Sequence, residues 1–263
     1  MKKLLFITIG LISSSLVSSQ VITPNGMFFC PKGTYTRVIY SKTISVAPFF
    51  ISNEITNGEF REFYNIIRKS PNDTIYWIDY ELAQKEPESG RSYIVKKTYQ
   101  EILPILIDLK VWEENPSIKN QFFDNKSNDY PVIGVTLEGA KYYCIWKTDE
   151  INKVNNKKEK DLEPDFRLPF EEEWEYATTV FNSLDNANNT VLKESFNNNE
   201  VSNLGYNLSE WVVNLGTIDE PKNIYRGGSY KTQSGFDERG EISKYKFTDF
   251  IGFRIVKTKL EKE

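Results

Sequence analysis

Arg167-Leu168-Pro169-Phe170-Glu171-Glu172-Glu173-Trp174-Glu175-Tyr176-Ala177 reads as a short extended piece that turns, at a proline, into a helix. The glutamates of the first turn suit the positive end of the helix dipole, and Trp174 and Ala177, three apart, face inward together. Two upstream stretches follow the same plan. Pro131-Val132-Ile133-Gly134-Val135 predicts a short strand, and Thr136 is a good N-cap for a helix lined on one side by Leu137, Ala140 and Cys144. Phe49-Phe50-Ile51 predicts a buried strand leading to Thr56-Asn57-Gly58-Glu59, where Thr at the N-cap and Glu three residues on form a capping box. Phe60, Phe63, Tyr64 and Ile67 then recur at helical spacing. Core packing accounts for each of these faces.

Beyond residue 177 the texture changes. Asn182 to Asn203 is rich in Asn, with Asn197-Asn198-Asn199 in a row, and favours turns and irregular backbone. Asn152 to Glu163, dense in Lys, Asn and Glu, predicts a solvated loop. Short β-like pieces follow at Asn207 to Val213, Ile224 to Tyr230 and Gly252 to Val256, with Gly227-Gly228 permitting a tight turn or close packing. No internal repeat is present. The class is α+β, with helices early and irregular β structure late.

The first residues address compartment. Lys2 and Lys3 precede an apolar run from Leu4 to Leu11 and a Ser-rich stretch to Ser19, the pattern of a secretory signal peptide over 1–19 cleaved before Gln20. The apolar run is shorter than the roughly 20 residues a spanning helix needs. No cysteine lies near the cleavage point, so a lipid anchor is not expected, and the mature chain is expected outside the cytoplasm, periplasmic or associated with the outer membrane. Removing 19 of the 263 residues leaves 244, which reads as a single domain over 20–263. Apolar residues at 39% and aromatics at 14% supply a core despite a mean hydropathy of −0.50. The chain carries −4 overall, and without Lys2 and Lys3 the balance is 31 basic against 37 acidic residues. Such a surface offers no basic field to nucleic acid or anionic lipid.

There is no histidine, which excludes His-based acid–base catalysis, Ser-His-Asp triads and imidazole-held zinc or iron. The only cysteines are Cys30, in the strand-like Met27-Phe28-Phe29-Cys30, and Cys144, on a helix-like segment beside Tyr143 and Trp146. An exported location permits a disulfide between them, and each is equally readable as a small buried hydrophobe.

Taken in order, these segments resemble the formylglycine-generating-enzyme family. Met27 to Tyr35 looks like its opening strand and turn, and Phe50 to Phe60 like its "EVTN-x-E-[FY]" entry. Pro131 to Trp146 resembles "PV-x-GV-[ST]…A-x-x-[FY]C-x-W", and Arg167 to Ala177 matches "RLP[ST]-x-x-EWEYA". Asn207-Leu208-Ser209-Glu210-Trp211 resembles "GN-x-WEW"; Arg226-Gly227-Gly228-Ser229-Tyr230 and Gly252-Phe253-Arg254-Ile255-Val256 match "RGGS[WFY]" and "GFR-[LI]-V". The resemblance implies a formylglycine-generating-enzyme-like variant of the C-type-lectin fold with little regular secondary structure.

Active members of that family oxidise a substrate cysteine with copper held by two cysteines after the "RGGS" turn, a soft ligand pair suited to Cu(I). Ungapped counting from Ser229 puts Thr232 and Asp237 at those positions, and no cysteine follows Cys144. The resemblance therefore implies neither copper chemistry nor, with no histidine, the iron chemistry of the sulfoxide-synthase relatives. It also implies a structural calcium at Asn203, the carbonyls of Tyr206 and Leu208, and Glu210, since hard oxygen ligands in a tight loop suit Ca²⁺. The alternative is that Asn203 caps a turn and Glu210 pairs with a surface cation. Asp73 to Asp79, Asp129-Tyr130-Pro131-Val132 and Trp146-Lys147-Thr148-Asp149 look like the gliding-motility lipoproteins GldK and GldJ of type IX secretion, which points to an envelope scaffold or protein-binding subunit without catalysis. The competing expectation is an enzyme or ligand-binding module reusing the cleft through Ser229, Thr232, Asp237 and Arg239.

Overall fold

The computed structural model describes residues 26–37, 42–78, 94–114, 122–154, 166–181, 201–213, 223–232, 234–242 and 246–259. The expected signal peptide and most of the Asn-rich stretch lie outside the described residues.

One four-stranded sheet runs in the order β1 (Met27–Cys30), β4 (Phe49–Glu54), β12 (Arg254–Thr258) and β7 (Phe166–Arg167), all antiparallel. Its central strand β4 buries both faces. Phe50 enters the larger apolar cluster while Phe49 and Ile51 enter a second one, as the unbroken run Phe49-Phe50-Ile51 requires. A second sheet orders β10 (Arg239–Ile242), β9 (Asn223–Arg226), β8 (Ser209–Val212) and β11 (Ile251–Gly252). The chain from Ile251 to Thr258 pairs first with β8 in this sheet and then with β4 in the other, so Gly252-Phe253-Arg254 stitches the two sheets together. Two ribbons, β2 (Gly33–Arg37) with β3 (Lys42–Val46) and β5 (Thr74–Ile78) with β6 (Ile94–Thr98), stand outside these sheets.

The α-helices among the described residues are α1 (Asn57–Lys69), α2 (Tyr99–Leu106), α3 (Lys110–Glu114), α4 (Leu137–Val154) and α5 (Glu171–Phe181). Helix α1 starts at the capping box expected of it, with the Thr56 hydroxyl accepting from Glu59 N and Glu59 accepting from Thr56 N. Phe60, Phe63 and Ile67 are fully buried on its inner face, where Phe60 and Phe63 pack on Tyr143 of α4 and Phe60 meets Phe253. Thr136 accepts from Gly139 N at 2.8 Å, the N-cap of α4. Trp174 and Ala177 are fully buried, as expected.

Two expectations are corrected. Pro131–Val135 is no strand: only isolated bridges, Thr56 to Pro131 and Ile107 to Val135, flank it. Gly134 between them has φ +76°, a left-handed residue that breaks an extended run. The loop expected from Asn152 does not start there, because α4 continues to Val154, and the rest of that stretch, 155–163, lies outside the described residues. Ribbon β5–β6 and helices α2 and α3 add to the elements expected from the sequence. Helix α2 was legible, since Thr98 and Glu101 repeat the capping box of α1. Cys30 and Cys144 are both free and buried, and they belong to different apolar clusters.

Candidate functional site

Strand β9 ends at Arg226, and Gly227 with φ +82° turns the chain out of the sheet. At Gly228 a β-carbon would overlap the Ser234 carbonyl, so the loop after Tyr230 lies directly on the glycine pair. Ser229 and Thr232 face each other across this turn. Thr232 Oγ1 accepts from Ser229 N at 2.9 Å and from the Ser234 hydroxyl at 2.8 Å, and the Ser229 and Thr232 hydroxyls are 3.3 Å apart. Ser229 Oγ accepts from the amides of Lys231 and Thr232, both at 3.3 Å. These hydroxyls are spent on closing the turn. Beside them Tyr230 donates to Asp249 at 3.1 Å and Lys231 pairs with the same carboxylate.

The other two cleft candidates lie apart from this pair. Asp237 is exposed. Arg239 opens β10 and donates from Nε to Glu171 Oε1 at 2.6 Å and from Nη1 to Glu241 at 3.1 Å. Arg239 thereby joins a charge network that residue-by-residue reading missed. Glu175 on α5 accepts from Arg37 Nε and Nη2 at 2.8 and 2.6 Å, from Arg226 Nη2 at 2.7 Å, and from the Tyr35 hydroxyl. Burial and the neighbouring Glu175 carboxylate push the Tyr35 hydroxyl well above its usual range. Glu171 in the first turn of α5 and Glu175 one turn on thus anchor β2, β9 and β10, a role beyond the favourable placement of first-turn glutamates at the helix dipole. Only their density was a signal in the sequence.

The calcium expectation falls on a fully buried ion pair. Glu210 and Arg254 have no exposed side-chain surface. Arg254 Nε donates to Glu210 Oε2 at 2.6 Å and Nη2 to Oε1 at 2.8 Å, while Trp174 Nε1 donates to Oε2 at 2.7 Å. Asn203 has φ 55° and its carbonyl accepts from Tyr206 N at 3.2 Å, the geometry of a turn. Tyr206 and Leu208 are buried in the following bend. These residues do not fit a divalent cation as they are arranged. An ion bound to Glu210 would have to displace Arg254 or sit against its fixed positive charge.

Thiol chemistry has little to draw on. Burial, reinforced by Glu173, pushes the Cys30 thiol up to about 12, and burial raises Cys144 further. A thiolate, the reactive form, is therefore scarce at both. Among the described residues no helix is long and apolar enough to cross a membrane.

The sequence matches the FGE-sulfatase family model, described as a Sulfatase-modifying factor enzyme 1-like domain, over residues 13–183. No curated protein matches it. Among solved structures it is similar to CarF, at TM-score 0.51 and 15% identity over 89% of this chain and 98% of that one. It is similar to Treponema denticola variable protein 1 at TM-score 0.50 and 14% identity, over 89% and 95% of the two chains. PvdO from Pseudomonas aeruginosa matches at TM-score 0.49 and 15% identity over 88% and 94%. At such identities the first two speak for the fold alone, and they agree with an α+β domain spanning most of the chain. The matched range ends before Asn207, yet the three later segments complete the same two sheets.

Proposed function

The chain belongs to the FGE-sulfatase family of Sulfatase-modifying factor enzyme 1-like domains, and from that premise we propose that it is a non-catalytic, exported envelope subunit that works by binding another protein. One observation supports this reading above the others. At the turn after β9, the Ser229 and Thr232 hydroxyls are bonded to each other and to the turn's own amides, and Arg239 is committed to Glu171. A nucleophile needs a base within reach, and among the described residues the hydrogen-bond partners of these two hydroxyls are the turn's own hydroxyls and amides. The gliding-motility likeness between residues 50 and 180 supports the machinery of type IX secretion and gliding as the setting. Export rests on the basic and apolar pattern of residues 2–19.

Mild cross-linking of native envelopes, followed by capture of the tagged chain, tests this. A reproducible stoichiometric envelope partner is the expected result, and recovery of the chain alone counts against it. Complementation of a deletion strain separates the alternative, an enzyme or ligand-binding module built on the same turn. Thr232→Ala and Asp237→Ala are expected to restore the phenotype in full. Loss of complementation by either variant, with the folded protein still present at normal levels, favours the cleft-based alternative.

A further inference from the structure

The segment 201–210 carries the residues that the sequence offers for an ion, and it crosses between the two sheets. Ser202 N donates to Asn53 Oδ1 at 2.9 Å, and Asn207 Nδ2 to Glu54 at 2.7 Å. Ser209 donates through Oγ to Gly227 O at 2.8 Å and through N to Phe250 O at 3.0 Å. The segment ends on Glu210, a carboxylate with no exposed surface. A carboxylate removed from water must keep a cation beside it or take up a proton.

We infer that Arg254 is the resident cation of this segment, so that the domain holds 201–210 in place without a divalent ion. The guanidinium is surrounded by oxygens from three parts of the chain. Both Glu210 oxygens accept from it at 2.6 and 2.8 Å, the Ser52 carbonyl accepts from Nη1 at 2.8 Å, and the Ser202 carbonyl from Nη2 at 3.3 Å. That planar fork against a carboxylate is the pairing for which arginine is shaped. Calcium asks instead for six to eight oxygens converging at about 2.3–2.6 Å, and here the convergence point is a side chain supplied from β12. Backbone position reinforces the assignment. Arg254 sits where the chain leaves one sheet for the other, so its charge fixes β12 and β8 in one step, as a structural ion bridging them would.

The experiment uses the full mature chain, stripped with EDTA and then melted with and without millimolar calcium. The expected result is the same melting midpoint in both. A ligand that bound only the folded state at a hundredfold its dissociation constant would raise stability by about 2.7 kcal/mol, a shift of several degrees that is easily read. Glu210→Gln is expected to lower the midpoint by the same amount in EDTA and in calcium. A calcium-dependent rise in the unaltered chain that Glu210→Gln abolishes overturns the inference, whereas a rise that survives Glu210→Gln puts the ion elsewhere and supports it. If that variant does not fold, terbium titration of the unaltered chain decides. Saturable emission at one ion per chain, sensitised by Trp174 and Trp211 and lost to competing calcium, overturns the assignment; its absence upholds it.

Discussion

Arg226 Nη2 donates to Glu175 Oε1 at 2.7 Å, an ion pair with side chains 8% and 11% exposed that fastens strand β9 to helix α5. Glu175 also holds Arg37 on the β2 ribbon, so one carboxylate serves two cations. Breaking a buried pair by removing one partner costs about 3–5 kcal/mol, because the other charge stays in the interior. Glu175→Gln is expected to cost about 3 kcal/mol in a urea titration. Glu150→Gln, which removes a partner of Lys153 at a largely exposed site, is expected to cost about 0–1 kcal/mol. Equal losses would show that the α5 network contributes no more than a surface pair.

The two capping boxes differ in setting and should differ in worth. Thr56 is 5% exposed and its helix carries Phe60, Phe63 and Ile67 into the core, whereas the bonds between Thr98 and Glu101 are exposed. Replacing an N-cap threonine by alanine costs about 0.5–2 kcal/mol. Thr56→Ala is expected near the upper end and Thr98→Ala near the lower, as read by denaturant midpoints. The reverse order would mean that burial does not set the strength of these caps.

What was legible in the sequence was what neighbours decide. Thr56 and Glu59 lie three apart, Phe60 to Ile67 keep helical spacing, and Trp174 with Ala177 marks the inner face of α5; local periodicity reports each of these. Pro131–Val135 misled because its β-branched residues outvote a single glycine in any local reading, although the φ of +76° at Gly134 ends the extension. Ribbon β5–β6 was hidden because Lys96 and Lys97 face Tyr76 and Ile75 across it, with no alternation to betray a strand. The partner of Glu210 was out of reach for a different reason. Arg254 lies 44 positions away, and only the passage of 251–258 from one sheet to the other brings it there. The partner was anticipated as a surface cation, and it is a fully buried one.

The thiols give a pH prediction. The Cys30 pKa is raised in the fold from an ordinary 9.0 to about 12, by burial first and Glu173 second. A group that keeps its proton longer when folded contributes stability in full below its unfolded pKa and loses it as pH rises towards the folded one. Stability is therefore expected to decline from about pH 9 upward, with a shallower slope in Cys30→Ala. Tyr142, raised by burial from 10.0 to about 12, adds to the decline in both proteins. At pH 8 neither cysteine should react with Ellman's reagent until the chain is denatured, after which both should. Rapid labelling of the folded chain would contradict the burial of the two thiols.

The turn after β9 tests whether its hydroxyls or its glycines hold it. Thr232 Oγ1 accepts two hydrogen bonds, but Thr232 is exposed, so water can replace the lost oxygen and Thr232→Ala should cost about 0.5–1.5 kcal/mol. Asp237, exposed on the same loop, should stay within about 0.5 kcal/mol of the parent when changed to alanine. Gly228 is different in kind. Its added β-carbon would overlap the backbone carbonyl of Ser234, which cannot rotate away as a side chain can. Gly228→Ala therefore has to lift residues 231–238 off the glycine pair, at a cost of about 1–3 kcal/mol or more. Amide hydrogen exchange checks this. Faster exchange at Gly227 and Glu238, whose amides donate to Glu238 O and Gly235 O, is expected in Gly228→Ala and not in Asp237→Ala. An unaltered pattern in Gly228→Ala would mean that the loop does not rest on Gly228.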